Sequence, residues 1–194
     1  MYVYNGKLFA DDPSKNRHEN LKPEFRAAID SKYKQHFSPE MILGYVYAIL
    51  YSSVYRKKYQ TFLKGDFPRV PFVEDVATFQ RLSAVGIALV QAHLLNPVPI
   101  GSEIEITKGS DLLKKAFHVK QDRRLYINES QYFWPVADNI WNFQIGAYQV
   151  LDSYLKIREG RKLTLDEIEN IMDTIKVLEF TEARVSEIDS LWQP

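Results

Sequence analysis

The 194-residue chain contains no cysteine, which excludes disulfides, thiolate metal sites and thiol nucleophiles and suits a reducing cytoplasm. It has no excess charge of either sign, because 25 Lys and Arg balance 25 Asp and Glu. A self-sufficient nucleic-acid binder usually carries a basic excess. Strong autonomous affinity for DNA is therefore not expected, although one local basic face stays open. No apolar run reaches the ~18 residues of a membrane span and no signal peptide is present, so the expectation is a soluble, cytoplasmic chain. Histidine is sparse: His18, His36, His93 and His118 are scattered without metal-ligand spacing. No glycine-rich loop fits the phosphate-binding or dinucleotide fingerprints. What is abundant is apolar. Hydrophobic residues make up 45% and aromatics 13%, enough for a sizeable core and against global disorder.

One stretch organises the rest. Residues 41–51 are apolar almost all round, from Met41, Ile42 and Leu43 to Leu50 and Tyr51, and a helix without a polar face belongs in the middle of something. After Ser52 and Ser53 the character changes. Tyr55, Tyr59, Phe62 and Leu63 keep one helical stripe while Lys57, Lys58 and Lys64 point elsewhere. Gly65 and Asp66 stop the helix, and Pro68 and Pro71 fix an extended strap.

The chain then reads in order. Met1 to Tyr4 is a short apolar strand-like piece, the lead-in to a polar loop that completes 1–22; as the start of the tail of a larger polypeptide it would have lost its partner. Pro23 to about Gln35 is a helix with Phe25, Ala28 and Ile29 inward. Ser38-Pro39 is an N-cap followed by proline at the first helical position. Glu74 to Leu95 is a long helix with Phe79, Leu82, Gly86, Leu89, Val90 and His93 on one face. Gly86 admits a close neighbour, and Pro97 and Pro99 end the helix. From Ile100 to about Gln144 the period moves towards two, at Glu103–Thr107, Ala116–Val119, Arg124–Asn128 and Gln131–Trp134, the last two forming a hairpin across Asn128-Glu129-Ser130. Tyr148 to Arg158 is helical up to a C′ glycine at Gly160. Thr164 and Glu167 form a capping box, with Leu163 and Ile168 as staple, for a final helix running to about Trp192. The fold class is α+β and predominantly helical: one domain over 1–194, with room for a subdivided core. Long helices (23–97 and 146–194) pack around one buried helix, with a small antiparallel sheet inserted at about 100–145.

No catalytic constellation emerges. His93, on an apolar face, reads as a satisfied core histidine. Asn96-Pro97-Val98-Pro99 reads as a helix terminator, since it lacks the aromatic that stacks a flipped base in similar methyltransferase motifs. Glu103 and Glu105 read as a solvated edge, and Asp166, Glu167 and Glu169 as first-turn acids complementing the helix dipole. The remaining candidates are basic. Arg56, Lys57, Lys58, Lys64 and Arg69 gather beside Tyr55 and Tyr59; duplex DNA rewards such a surface, with Lys and Arg on phosphates or guanine edges and tyrosine hydroxyls on backbone oxygens. A solvated helix face explains the same residues, and Arg56 and Arg69 are equally readable as internal struts to Asp66 or Asp75. A second group, Lys108, Lys114, Lys115, Lys120, Arg123 and Arg124, lies on or beside the sheet, where inter-strand loops can read bases. A third, Arg158, Arg161 and Lys162, sits at a helix C-terminus.

The run from Tyr45 to Phe72, of the form Y-x-Y-A-x-L-x-S-x-x-Y-R-x-K-Y-x-x-F-L-K-x-D-F-P-R-[IV]-P-F, resembles the C-terminal specificity region of type ISP restriction-modification enzymes. It is similar, more loosely, to recognition domains of type IIG methyltransferase-nucleases. A second block supports this: Leu125 to Asn128, Gln131 to Phe133, Trp141 to Leu151, and Tyr154 to Arg161. Ala147 replaces the usual second glycine and Tyr154 the usual tryptophan. The resemblance runs from about Asn20 to the C-terminus and covers Tyr55, Arg56, Tyr59, Phe62, Asp66, Arg69, Tyr126, Asn128, Tyr132, Trp141 and Gly146, several of which suit a core better than an interface. It implies a non-catalytic target-recognition module for double-stranded DNA at the end of a bacterial phage-defence polypeptide. Methyltransferase, nuclease and helicase-like domains would lie elsewhere, and S-adenosylmethionine and magnesium would belong to them. A coupling module that docks those domains together, favoured by zero net charge and by the long helix from Thr164, is the second reading, one that an exposed Trp192 would strengthen; an unrelated stand-alone enzyme is the third.

Overall fold

In the computed structural model, residues 2–4 and 17–193 are described, and they form two compact units. One comprises the chain up to Val90 together with the segment from Arg184 onward; the other is Gln91–Ala183.

The first unit is built on helix α2, Pro39–Tyr51, which Ser38 caps by accepting from the Met41 amide at 3.2 Å. None of its thirteen residues is exposed, as its all-round apolarity predicts. Helix α1, Pro23–Tyr33, buries Ile29 and Tyr33, while Ala28, expected inside, is exposed. At the start, β1 (Tyr2–Tyr4) pairs antiparallel with β2 (Arg17–Glu19), Tyr2 opposite Glu19. The opening strand therefore has a partner within the chain, and part of the expected polar loop is strand; residues 5–16 of that loop lie outside the described residues.

After α2 the backbone breaks at Ser52 and restarts as α3, Ser53–Lys58, followed by a 3-10 turn at Phe62–Lys64. One amphipathic helix was expected here. The break has a distant cause: the Asp189 carboxylate accepts from Ser52 Oγ at 2.6 Å and from Ser53 Oγ, while Ser52 Oγ accepts the Tyr55 amide at 3.1 Å. Helix α4, Val76–His93, starts under Asp75, which accepts from the Thr78 amide and hydroxyl at 2.7 Å. These bonds hold the Asp75 carboxyl below its ordinary pKa. α4 crosses α2 through paired glycines. A Cβ on Gly86 would lie 1.8 Å from the Gly44 carbonyl oxygen, and one on Gly44 would lie 2.3 Å from that of Ser83. This is the close approach expected at Gly86. α4 ends at His93, ahead of the prolines, as Leu95 turns to φ 55°.

The strap is pinned by tyrosine hydroxyls. Tyr33 donates to the Val73 carbonyl at 2.6 Å, Tyr45 to that of Pro71 at 2.7 Å and Tyr55 to that of Arg69 at 3.0 Å. Tyr45 also accepts the Val73 amide at 3.0 Å. An extended segment offers its backbone groups to no sheet or helix, so these hydroxyls satisfy them. Burial raises the pKa of all three phenols, that of Tyr45 to about 12. Tyr45 stacks between Phe72 and Phe79 at 5.0 and 4.7 Å, and Tyr33 and Phe37 complete the aromatic core. Trp192 is buried against Tyr55.

The second unit carries the antiparallel sheet, with β3 (Glu105–Ile106), β4 (Phe117–Val119), β5 (Arg124–Tyr126) and β6 (Tyr132–Trp134) in the order β3-β6-β5-β4. Leu125 and Phe133 face the core, joined there by Leu113, Ile127, Val136, Ile171 and Ile175. The expected hairpin turn is held from inside: Asn128 Oδ1 accepts the Ser130 and Gln131 amides, and buried Gln131 donates to Thr107 and Asp111. A short helix α5 (Asp138–Trp141) leads into the hairpin β7 (Gln144–Ile145) and β8 (Tyr148–Gln149), which turns at Gly146 with φ 61°. The next helix, α6, accordingly spans only Val150–Lys156; its C-cap is Ile157, so Gly160 is not its C′ residue. Helix α7, Leu165–Leu191, is 27 residues or about 40 Å long. Its capping box is formed, Thr164 and Glu167 exchanging bonds at 3.0 and 3.2 Å. His93 bonds Thr181 Oγ1 at 2.9 Å, and burial lowers its pKa, as befits a core histidine.

Candidate nucleic-acid interface

The stripe that was read as tyrosine-laced is not a tyrosine surface. Tyr55 is buried with its hydroxyl on the strap, and Tyr59 is half-buried against its ring at 5.0 Å. The hydroxyl of Tyr55 therefore reaches no DNA oxygen. What α3 leaves in solvent is positive. Lys57 and Lys64 are exposed and make no ion pair among the described residues; Lys58, also exposed, lies 5.6 Å over the Tyr59 ring. Arg56 turns back, donating to the carbonyls of Tyr51 at 2.9 Å and Ser52 at 3.4 Å. It caps the C-terminal carbonyls of α2, so it is a strut, though not to either acid expected. Arg69 is 93% exposed and 3.8 Å from Asp66, an exposed pairing that contributes little.

The sheet group divides. Lys114 reaches both Glu129 oxygens, at 2.8 and 2.9 Å, and Lys120 reaches Asp138 at 2.9 Å. Arg124 lies 4.5 Å over the Tyr132 ring, near Asp122 and the Tyr126 hydroxyl. Lys108, Lys115 and Arg123 stay exposed without an ion pair among the described residues. The turn residues Asn128 and Gln131 are internal struts. In the third group, Arg158 and Arg161 both grip Glu167, at 2.9 and 2.6 Å, holding that carboxyl well below its usual range.

Sequence reasoning missed the exposed aromatics. On the sheet's outer face Phe117 stacks on Tyr126 at 4.8 Å, with Tyr132 beside Tyr126 at 4.9 Å. The signal was present in Arg124-Leu125-Tyr126 and Tyr132-Phe133-Trp134, where period two sends one aromatic in and others out. In the first unit, Phe62 and Phe67 are 72% and 90% exposed beside a cavity of about 240 Å³. Among the described residues no cluster of His, Asp and Glu has metal-binding geometry, and no helix is long and apolar enough to cross a membrane.

A family model described as the Type ISP C-terminal specificity domain matches residues 1–187. Among solved structures, a DrdV–DNA complex determined by cryo-EM is similar with a TM-score of 0.66 at 21% identity, covering 90% of this chain and 20% of that one. The ATP-dependent Type ISP restriction-modification enzyme LlaBIII bound to DNA gives 0.66 at 18%, covering 99% and 14%. A nuclease-deletion mutant of the Type ISP enzyme LlaGI, in complex with a DNA substrate mimic, gives 0.56 at 21%, covering 82% and 14%. The chain thus spans a fifth or less of the length of these proteins. No curated protein matches.

Proposed function

Since the chain belongs to the Type ISP C-terminal specificity domain family, we propose that it is the part of a restriction-modification polypeptide that recognises duplex DNA, and that it performs no chemistry itself. The observation that carries this is the state of Lys57, Lys58 and Lys64: three cations on one short segment, exposed, without ion pairs among the described residues, on a platform locked by Asp189 and three tyrosine hydroxyls. Phosphates reward such fixed cations, and Arg69 is placed to join them. Lys108, Lys115 and Arg123 supply a second contact, and DNA is bound by three of the similar proteins. Cleavage, translocation and adenine methylation, with magnesium and S-adenosylmethionine, fall to the rest of a cytoplasmic polypeptide, of which this chain would be a minor share. Burial of Trp192 against Tyr55 supports a closed domain over a docking adaptor.

The test is salt. With zero net charge, the isolated chain should bind duplex DNA weakly and steeply salt-dependently. Changing Lys57, Lys58 and Lys64 together to Ala should flatten the log K against log salt slope by about 3 and cost about tenfold or more in affinity at low salt. Unchanged binding by the full-length triple variant would remove this segment from the interface.

A further inference from the structure

We propose that the cavity between α3 and the strap receives a single unstacked nucleobase of the bound DNA, an inference that rests on the reading of this segment as a DNA face. Its floor is Tyr55, a ring that cannot swing: it is buried, its hydroxyl is bonded to the Arg69 carbonyl, and Tyr59 and Trp192 pack on it at 5.0 and 5.9 Å. Phe62 and Phe67 stand at the mouth, both largely in water. Two phenyl rings exposed at one opening mark a surface that something covers.

Size and chemistry narrow the occupant. A volume of about 240 Å³ is below the range of drug-sized pockets and suits one ring system. Four rings, Tyr55, Tyr59, Phe62 and Phe67, line the cavity beside Leu63 and Pro68, and flat rings match a π-face better than a branched aliphatic side chain. The polar groups at the cavity are Asp66 and Arg69, an acceptor and a planar donor 3.8 Å apart and both exposed. The edge of a base mixes donors and acceptors in that way. Around the opening the unpaired charges are positive, with Lys64 in the turn between Phe62 and Asp66. A protein side chain would satisfy the walls and leave the lysines without a counter-charge; a nucleotide satisfies both, its base in the cavity and its phosphates on the cations.

The experiment compares two duplexes of equal length with the full chain at low salt, one fully paired and one carrying a single extrahelical 2-aminopurine. Binding of the second should be about tenfold tighter, and the fluorescence of its 2-aminopurine should fall as it stacks on the rings. The F62A/F67A variant, altered only at exposed positions, should bind the two duplexes alike and leave the fluorescence unquenched. Equal affinity of the unaltered chain for both duplexes overturns the base site while leaving DNA recognition standing. A preference that survives F62A/F67A overturns it as well, as does a self-association that the variant abolishes, which would make the cavity an interface between copies. If neither duplex binds, the recognition reading fails and the base site fails with it.

Discussion

The tyrosines of the first unit and those of the sheet are used in opposite directions. In the first unit Tyr33, Tyr45 and Tyr55 point inward and hold the strap by its backbone, while Lys57, Lys58 and Lys64 make no ion pair among the described residues. On the sheet Phe117, Tyr126 and Tyr132 stack on the outer face, and much of the positive charge is tied, Lys114 to Glu129, Lys120 to Asp138 and Arg124 to a ring. Two basic-aromatic groups that read alike in sequence are thus physically different. The first offers charge on a fixed base, whereas the second offers rings with its charge partly neutralised.

The fixed base is the easiest half of the contrast to break. Gly86→Ala places a methyl group on the Gly44 backbone, where no side chain can yield. Urea unfolding should show a loss of about 3 kcal/mol, because overpacking at a backbone contact forces the helices apart. Gly65→Ala is the control: a Cβ there meets nothing within 4 Å, and its φ is not in the left-handed region, so stability should hold. A smaller loss follows from Tyr45→Phe, which strips the strap of a donor to Pro71 and an acceptor for Val73 at a buried site. About 2 kcal/mol is expected, since both backbone groups lose their partner. Tyr126→Phe, on the sheet's outer face, should stay within about 0.5 kcal/mol. Equal losses from the two would erase the distinction drawn here between inward and outward tyrosines.

The elements that sequence reasoning located were those whose chemistry is local. The Ser38 and Thr164 caps, the buried α2 and the turn at Asn128 each follow from residues within a few positions of one another. What it missed depends on partners far along the chain. Ser52 breaks the helix because Asp189 stands behind it, 137 residues away, and β1 finds its partner in a run that looked like loop. The strap was legible from its prolines, but not the hydroxyls that fasten it, so that of Tyr55 was offered to a DNA backbone it does not reach. Gly146 in a left-handed turn displaced the start of the helix expected from Tyr148. The candidate cations could be enumerated from the sequence alone. Which of them are unpaired was not legible, because the carboxylates that decide it, Glu129 and Asp138, are neighbours only across the folded sheet.

Those carboxylates also give the finest probe of the contrast. Glu129 is exposed and holds Lys114 through both oxygens, an arrangement worth little to stability but sufficient to direct the ammonium away from a phosphate. Glu129→Gln removes the charge and releases the lysine. If the sheet group lies on the DNA, affinity at low salt should rise about twofold and the salt slope should steepen by up to about 1, the increment of one added phosphate contact. Glu24→Gln on α1 makes the same change in net charge at an exposed site with no ion pair among the described residues. It separates a released contact from a general gain in positive charge. A rise confined to Glu129→Gln places Lys114 at the interface beside Lys115. An equal rise in both variants means that the whole chain's net charge is acting, and that Lys114 does not lie at the interface.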